Sequence, residues 1–162
     1  MEEEKRTRPL IYAHRGASAL APENTLAAFL LAQRLGADGI ELDVMFTADK
    51  QLIVIHDDTV DRTTNGHGKV AEMPLAALRE LDAGSYFGEA FRGEKLPTLA
   101  EVYEALGGKL RINVERHFLS VFMIVAIAPD NPRFTSMRPA RALDSWGMKL
   151  TCNGVGLINA SS

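Results

Sequence analysis

The segment Asp38-Gly39-Ile40-Glu41-Leu42-Asp43-Val44 decides how the rest of the chain is read. Apolar and acidic residues alternate along it, the two-residue period of a β-strand with unlike faces. Ile40, Leu42 and Val44 point to one side, and Glu41 and Asp43 point together to the other. Upstream, Thr25 to Leu35 carries apolar residues at helical spacing, with Asn24 or Thr25 as its cap and Gly36 as its stop. Further upstream, Leu10 to Ala13 reads as a strand, and His14-Arg15-Gly16 follows at once. Downstream, Gln51 to Ile55 reads as a strand ended by His56-Asp57-Asp58. A turn-rich stretch with Asn65-Gly66, Gly68, Gly84, Gly88 and Gly93 then reads as loops or a small excursion rather than a core element. Thr98-Leu99-Ala100-Glu101 is a capping box opening a helix to about Leu106, which Gly107-Gly108 terminates. Leu110 to Val114 is a further strand, closed by Glu115. Short apolar runs alternating with helical segments are the pattern of an α/β protein with parallel strands.

Four of these runs deliver chemically able residues at or near their carboxyl ends: His14 and Arg15, Glu41 and Asp43, His56 and Asp57, then Glu115. In parallel α/β folds those ends form one rim, where ligands bind. Two carboxylates on one inward face repel unless protonated or bridged by a cation. A hard divalent ion, Ca²⁺ or Mg²⁺, is the natural bridge, with Glu115 as a third ligand. The plain alternative is a half-exposed strand whose acidic positions are solvated. Histidine suits proton transfer near neutral pH, and arginine offers a planar fork of donors for phosphate. Each of these tripeptides, alone, is also an ordinary strand-to-loop turn. Two histidines, an arginine and three carboxylates at strand ends make phosphoester hydrolysis the leading chemical class. Arg62-Thr63-Thr64-Asn65-Gly66 reads as a hairpin-type turn, with lining of the pocket as its alternative.

Composition narrows the classes further. The chain has 162 residues, a net charge of −3 and 46% hydrophobic residues, those of an ordinary soluble globular protein. Weak acidity argues against a nucleic-acid or membrane-surface binder. The longest apolar run, Phe118 to Ala128, is far short of the roughly 20 residues that span a bilayer, so no stable membrane anchoring is expected. The single cysteine, Cys152, and the absence of a basic-then-apolar leader point to the cytoplasm. No GxxxxGK[ST] or GxGxxG occurs, which leaves nucleotide-dependent chemistry without support. All 12 glutamates lie within residues 1–116, and the net charge changes from −5 there to +2 over residues 117–162.

The motifs His14-Arg15-Gly16-Ala17, Pro22-Glu23-Asn24-Thr25, Glu41-Leu42-Asp43-Val44, His56-Asp57, Leu96-Pro97-Thr98-Leu99 and Asn113-Val114-Glu115 occur in this order. Together they closely resemble the glycerophosphodiester phosphodiesterases, from about Leu10 to Glu115. The resemblance implies a TIM-barrel, (βα)8 hydrolase that uses one divalent cation to cleave glycerophosphodiesters to glycerol 3-phosphate and an alcohol. By that similarity His14 and His56 are the acid/base pair, Arg15 contacts phosphate, and Glu41, Asp43 and Glu115 bind metal. The family is thought to let the substrate's own glycerol hydroxyl attack phosphorus, forming a cyclic phosphate that water then opens. One histidine takes the hydroxyl proton and the other protonates the leaving alcohol. The family also places a small insertion after the second barrel strand, here about residues 45–96. Where it usually has a substrate-binding lysine two positions after the Asn-x-Glu motif, Arg116 and His117 stand here, and Arg116 is the candidate for that charge.

The expected organisation is therefore an N-terminal part of such a domain at 8–116 and an unassigned divergent tail at 117–162. A TIM barrel takes about 250 residues. If Leu10, Asp38 and Leu110 begin the first three barrel strands, the barrel is incomplete. Exposed edges and apolar faces would then favour weak stability or self-association. Two rival readings follow: a truncated, non-catalytic metal-binding or interaction product of the same family, and a sphingomyelinase D-like phospholipase. The latter resembles this family in barrel, paired histidines and Glu-x-Asp site, but its usual setting is secreted and disulfide-bonded.

Overall fold

The computed structural model describes residues 9–116. The run Phe118–Ala128 and the remainder of the expected tail lie outside the described residues. The elements are β1 (Tyr12–His14), α1 (Leu26–Arg34), β2 (Gly39–Phe46), β3 (Leu52–Val54), α2 (Leu75–Glu80), α3 (Leu99–Leu106) and β4 (Arg111–Arg116). Two 3₁₀ turns, Val70–Glu72 and Glu89–Phe91, stand between them.

Local chemistry explains the helix ends. Of the two cap candidates for α1, Thr25 is the one used: its Oγ1 accepts from Ala28 N at 3.3 Å and satisfies an amide that has no partner within the helix. Gly36 follows the helix at φ +81°, the left-handed conformation that a terminating glycine adopts without strain. At α3 the capping box forms in both directions, with Glu101 N donating to Thr98 Oγ1 (3.2 Å) and Thr98 N donating to Glu101 Oε2 (2.7 Å).

β2 is the central strand. It pairs in parallel with β1, in the register Tyr12↔Gly39, Ala13↔Ile40, His14↔Glu41. On its other side it pairs in parallel with β4, from Gly39↔Arg111 to Val44↔Arg116. Three parallel strands backed by helices form a partial TIM-barrel-type α/β sheet, as expected. The expectation fails for the run Gln51 to Ile55, which is not parallel. β2 continues to Phe46, two residues past Val44, and β3 returns antiparallel to it with Val44↔Val54 and Phe46↔Leu52. The link between them, residues 47–51, is far shorter than a parallel crossover requires. It is tied by Gln51 N donating to Thr47 Oγ1 at 2.9 Å, with Lys50 at φ 62°.

Two apolar cores result. The first gathers Phe29 and Ala32 of α1, Ile40, Leu42 and Val44 of β2, Val102 and Leu106 of α3, and Ile112 and Val114 of β4. The helices therefore cover one face of the parallel strands, and the alternate residues point away from them. The second core takes Ile53 and Ile55 from the run expected as a strand, and Val60, Val70, Leu78, Ala83 and Leu96 from the stretch after it, expected as loops or a small excursion rather than a core element. That excursion is a packed unit with its own helix, α2; its apolar residues are spread among glycines without a clear period, so no local pattern announces the core. Among the described residues β1 pairs only with β2, and Leu10, Ile11, Tyr12, Leu20 and Leu35 remain exposed beside it. No helix among the described residues is long and apolar enough to cross a membrane.

This packing sets a contrast in stability. Leu42 is fully buried and Leu35 is 63% exposed. Leu42→Ala is expected to cost about 2–5 kcal/mol in denaturant unfolding, and Leu35→Ala less than about 0.5 kcal/mol.

Candidate active site

On the face of the sheet away from the helices, register alone brings the acidic residues together. Neighbours in a parallel ladder share a face, so His14, Glu41 and Asn113 form one row across β1, β2 and β4, and Asp43 and Glu115 form the next. One carboxylate oxygen from each of Glu41, Asp43 and Glu115 lies within 4.8 Å of the other two. Glu41 is 8% exposed and Asp43 2%, so the pair is not a solvated face. Burial, followed by the nearby Asp43 charge, pushes the Glu41 carboxyl above the ordinary carboxylate range. Glu41 Oε1 is buried with no hydrogen-bond partner. Three convergent hard oxygen donors, one of them orphaned, fit a divalent cation such as Ca²⁺ or Mg²⁺.

The loop between β1 and α1 braces this cluster. Arg15 takes φ 57°, and its backbone N–H donates to both Glu41 O (2.9 Å) and Glu41 Oε2 (3.1 Å). Its Nε lies 3.3 Å from Asp43 Oδ2, and its Nη1 donates to Glu23 Oε1 at 3.0 Å. Gly16 follows at φ +81°, where a Cβ would sit 2.8 Å from the backbone carbon of Ala28, so only glycine lets the loop meet α1. Asn24, also at positive φ, donates from Nδ2 to Asp43 Oδ2 at 2.9 Å, and Asp43 N donates back to Asn24 Oδ1 at 3.4 Å.

The two histidines arrive by different routes. His14 stands at the end of β1 with its side chain 70% exposed and Nε2 3.8 Å from Glu41 Oε2. His56 is brought to this end of the sheet by the returning β3, whose following residue Ile55 donates from N to Asp43 O at 3.0 Å. Its Nδ1 lies 2.6 Å from Asp57 Oδ1. Arg116 does not supply the expected charge. It pairs with Val44 and shares the alternation of Ile112 and Val114, so it faces the other way, its guanidinium carbon 4.9 Å from the centre of the Phe46 ring.

Four other residues take part here in ways their local pattern does not specify: Asn24 is there a cap candidate, and Arg62 belongs to a turn with pocket lining as its alternative. Glu23 and Asn24 lie in the motif Pro22-Glu23-Asn24-Thr25, a signal that their loop matters without saying what they touch. Arg62 bridges Glu23 and Asp57, and Glu23 N donates to Tyr86 Oη at 3.1 Å. Nothing in the local pattern announces these last contacts, which join residues far apart in the chain.

The raised Glu41 carboxyl makes a pH prediction for the metal-free protein. The native state holds this proton more tightly than the unfolded chain, so the associated stability is fully present below the ordinary glutamate value. It is lost as pH rises through the raised native value. In chelator, Glu41→Gln is expected to remove that component, and its stability relative to wild type should rise with pH across this window in denaturant melts.

Comparison with known proteins matches this geometry to a family. Residues 14–123 match the model of the glycerophosphoryl diester phosphodiesterase family. A glycerophosphodiester phosphodiesterase of Caldanaerobacter subterraneus is 58% identical over 107 residues, which are 65% of this chain and 44% of that relative. A crystal structure of the Agrobacterium tumefaciens glycerophosphodiester phosphodiesterase superposes with a TM-score of 0.66 at 48% identity, over 67% of this chain and 47% of the other. An Oleispira antarctica phosphodiesterase in complex with the product sn-glycerol-3-phosphate gives 0.65 at 43% identity, over 67% and 44%. The chain thus spans less than half the length of these relatives. With the motifs in order, the carboxylates in one cluster and two thirds of the chain aligned, the chain belongs to the glycerophosphoryl diester phosphodiesterase family.

Proposed function

We propose that the chain carries the catalytic centre of a metal-dependent phosphodiesterase that cleaves glycerophosphodiesters to glycerol 3-phosphate and an alcohol. The observation that carries this reading is the convergence of Glu41, Asp43 and Glu115 beside His14, at the end of the sheet to which the chain after β3 brings His56. Glycerol 3-phosphate as the retained product is supported by the Oleispira antarctica relative, whose structure contains it. Glu41, Asp43 and Glu115 would hold one divalent cation, Ca²⁺ or Mg²⁺. When bound, that ion supplies positive charge against the phosphate oxygens. Arg15, turned into the cluster between Glu23 and Asp43, would give its fork of donors to the same phosphate. One histidine accepts the proton of the attacking glycerol hydroxyl while the other gives a proton to the departing alcohol oxygen, so neither alkoxide accumulates, and water then opens the resulting cyclic phosphate to glycerol 3-phosphate. In this reading residues 8–116 are the N-terminal part of the domain and about 45–96 the insertion after its second strand. The separate core inside that stretch supports this division. A cytoplasmic setting agrees with the single cysteine.

A second reading is favoured by one observation. Leu10, Ile11, Tyr12, Leu20 and Leu35 stay exposed beside β1, an apolar surface that suits association. A non-catalytic, metal-binding or self-associating product of the same family would keep the acidic cluster and lose turnover.

Purified chain incubated with glycerophosphocholine and Ca²⁺ or Mg²⁺ decides between them. The catalytic reading expects glycerol 3-phosphate to form and chelator to stop it. It also expects His14→Ala and His56→Ala each to lower kcat by about 10²–10⁴-fold. Metal-dependent stabilisation without product would favour the second reading. At about 100 times its dissociation constant the cation should add about 2.7 kcal/mol to unfolding, and Asp43→Asn should abolish that gain.

A further inference from the structure

The side chain of Arg62 uses both edges of its guanidinium. Nε and Nη2 donate to Asp57 Oδ2 and Oδ1 at 2.6 and 3.0 Å. Nη1 and Nη2 donate to Glu23 Oε2 and Oε1 at 2.9 and 2.8 Å. Two bidentate carboxylate pairs on one planar cation fix the orientation of both carboxylates. The Arg62 hydrogen bonds hold the carboxyls of Glu23 and Asp57 below the usual carboxylate range, so both are acceptors only. Asp57 Oδ1 also meets His56 Nδ1 at 2.6 Å. Facing an acceptor-only carboxylate, that nitrogen must carry the proton, and the lone pair of the neutral ring is then at Nε2.

Glu23 is itself anchored, since its backbone N–H donates to Tyr86 Oη. Its side chain and those of Asp57 and His56 are each about a quarter exposed or less. The line from Glu23 through Arg62 and Asp57 to His56 thus ties the loop after β1 to the excursion after β3.

We propose that Arg62 is a positioning residue: gripping Glu23 and Asp57 together, it holds the Asp57 carboxylate in place and so locks His56 in the Nδ1-protonated tautomer. A neutral His56 would accept a substrate proton at Nε2, and its protonated form would return one from the same atom. Arg62 itself acts only through Asp57. The kinetic part of this inference rests on the phosphodiesterase reading, whereas the tautomer part does not.

The test uses the whole chain with isotope-labelled histidine, and NMR above the titration range of the ring reads the His56 tautomer in wild type, Arg62→Gln and Arg62→Lys. Wild type is expected to be mainly Nδ1-protonated. Both variants should lower the ratio of Nδ1- to Nε2-protonated ring by about tenfold, the worth of one charge-assisted hydrogen bond, since lysine keeps the charge but not the fork. Arg62→Lys also serves should Arg62→Gln fail to fold. In the hydrolysis assay kcat should fall about tenfold or more with KM held within about twofold. A wild-type ring protonated at Nε2, or a folded variant that loses thermal stability while keeping the wild-type tautomer ratio, overturns the proposal. If wild type makes no glycerol 3-phosphate, the functional reading falls, and the tautomer measurement still decides this one.

Discussion

The register of β2 between β1 and β4 is the constraint on which everything else depends. With Glu41 level with His14 and Asn113, and Asp43 level with Glu115, one face of three strands becomes acidic and the other apolar. A slip of one residue would exchange those faces, placing Glu41 and Asp43 against α1 and α3 and exposing Ile40, Leu42 and Val44. The apolar core therefore selects the pairing, and the acidic cluster follows from it. Folding energy comes from one face and chemistry from the other.

The cluster is unfavourable in isolation, because close carboxylates with little water repel each other and lose solvation. The β1–α1 loop offsets part of this cost locally. Asn24 donates to Asp43, the Arg15 backbone donates to Glu41, and the Arg15 guanidinium lies beside Asp43. Both residues adopt positive φ, and Gly16 lets the loop press against α1. Backbone strain is concentrated where the loop must turn donors towards the acidic face.

The excursion after β2 is more than a connection. Its antiparallel return carries His56 to the acidic end of the sheet, and its own core gives Arg62 and Tyr86 a firm base from which to hold Glu23. A histidine on a loose loop would sample many orientations. Here the ring, its carboxylate and their arginine are joined to the first loop of the chain by two forked ion pairs.

Local pattern was enough to read the strands around Leu10–Ala13, Asp38–Val44 and Leu110–Val114, the helices at Thr25–Leu35 and Thr98–Leu106, and the shared face of Glu41 and Asp43. Alternation and capping are written in neighbouring residues, so the sequence by itself determined them. The motif series also settled the family. Tertiary structure alone decided that Gln51–Ile55 returns antiparallel, that the glycine-rich stretch packs a core, and that Arg116 faces Phe46 rather than the carboxylates. It alone decided that Arg62 joins Glu23 to Asp57. The physical reason is the same in each case: these outcomes depend on pairing and packing between residues distant in the chain, and no local period encodes the partner.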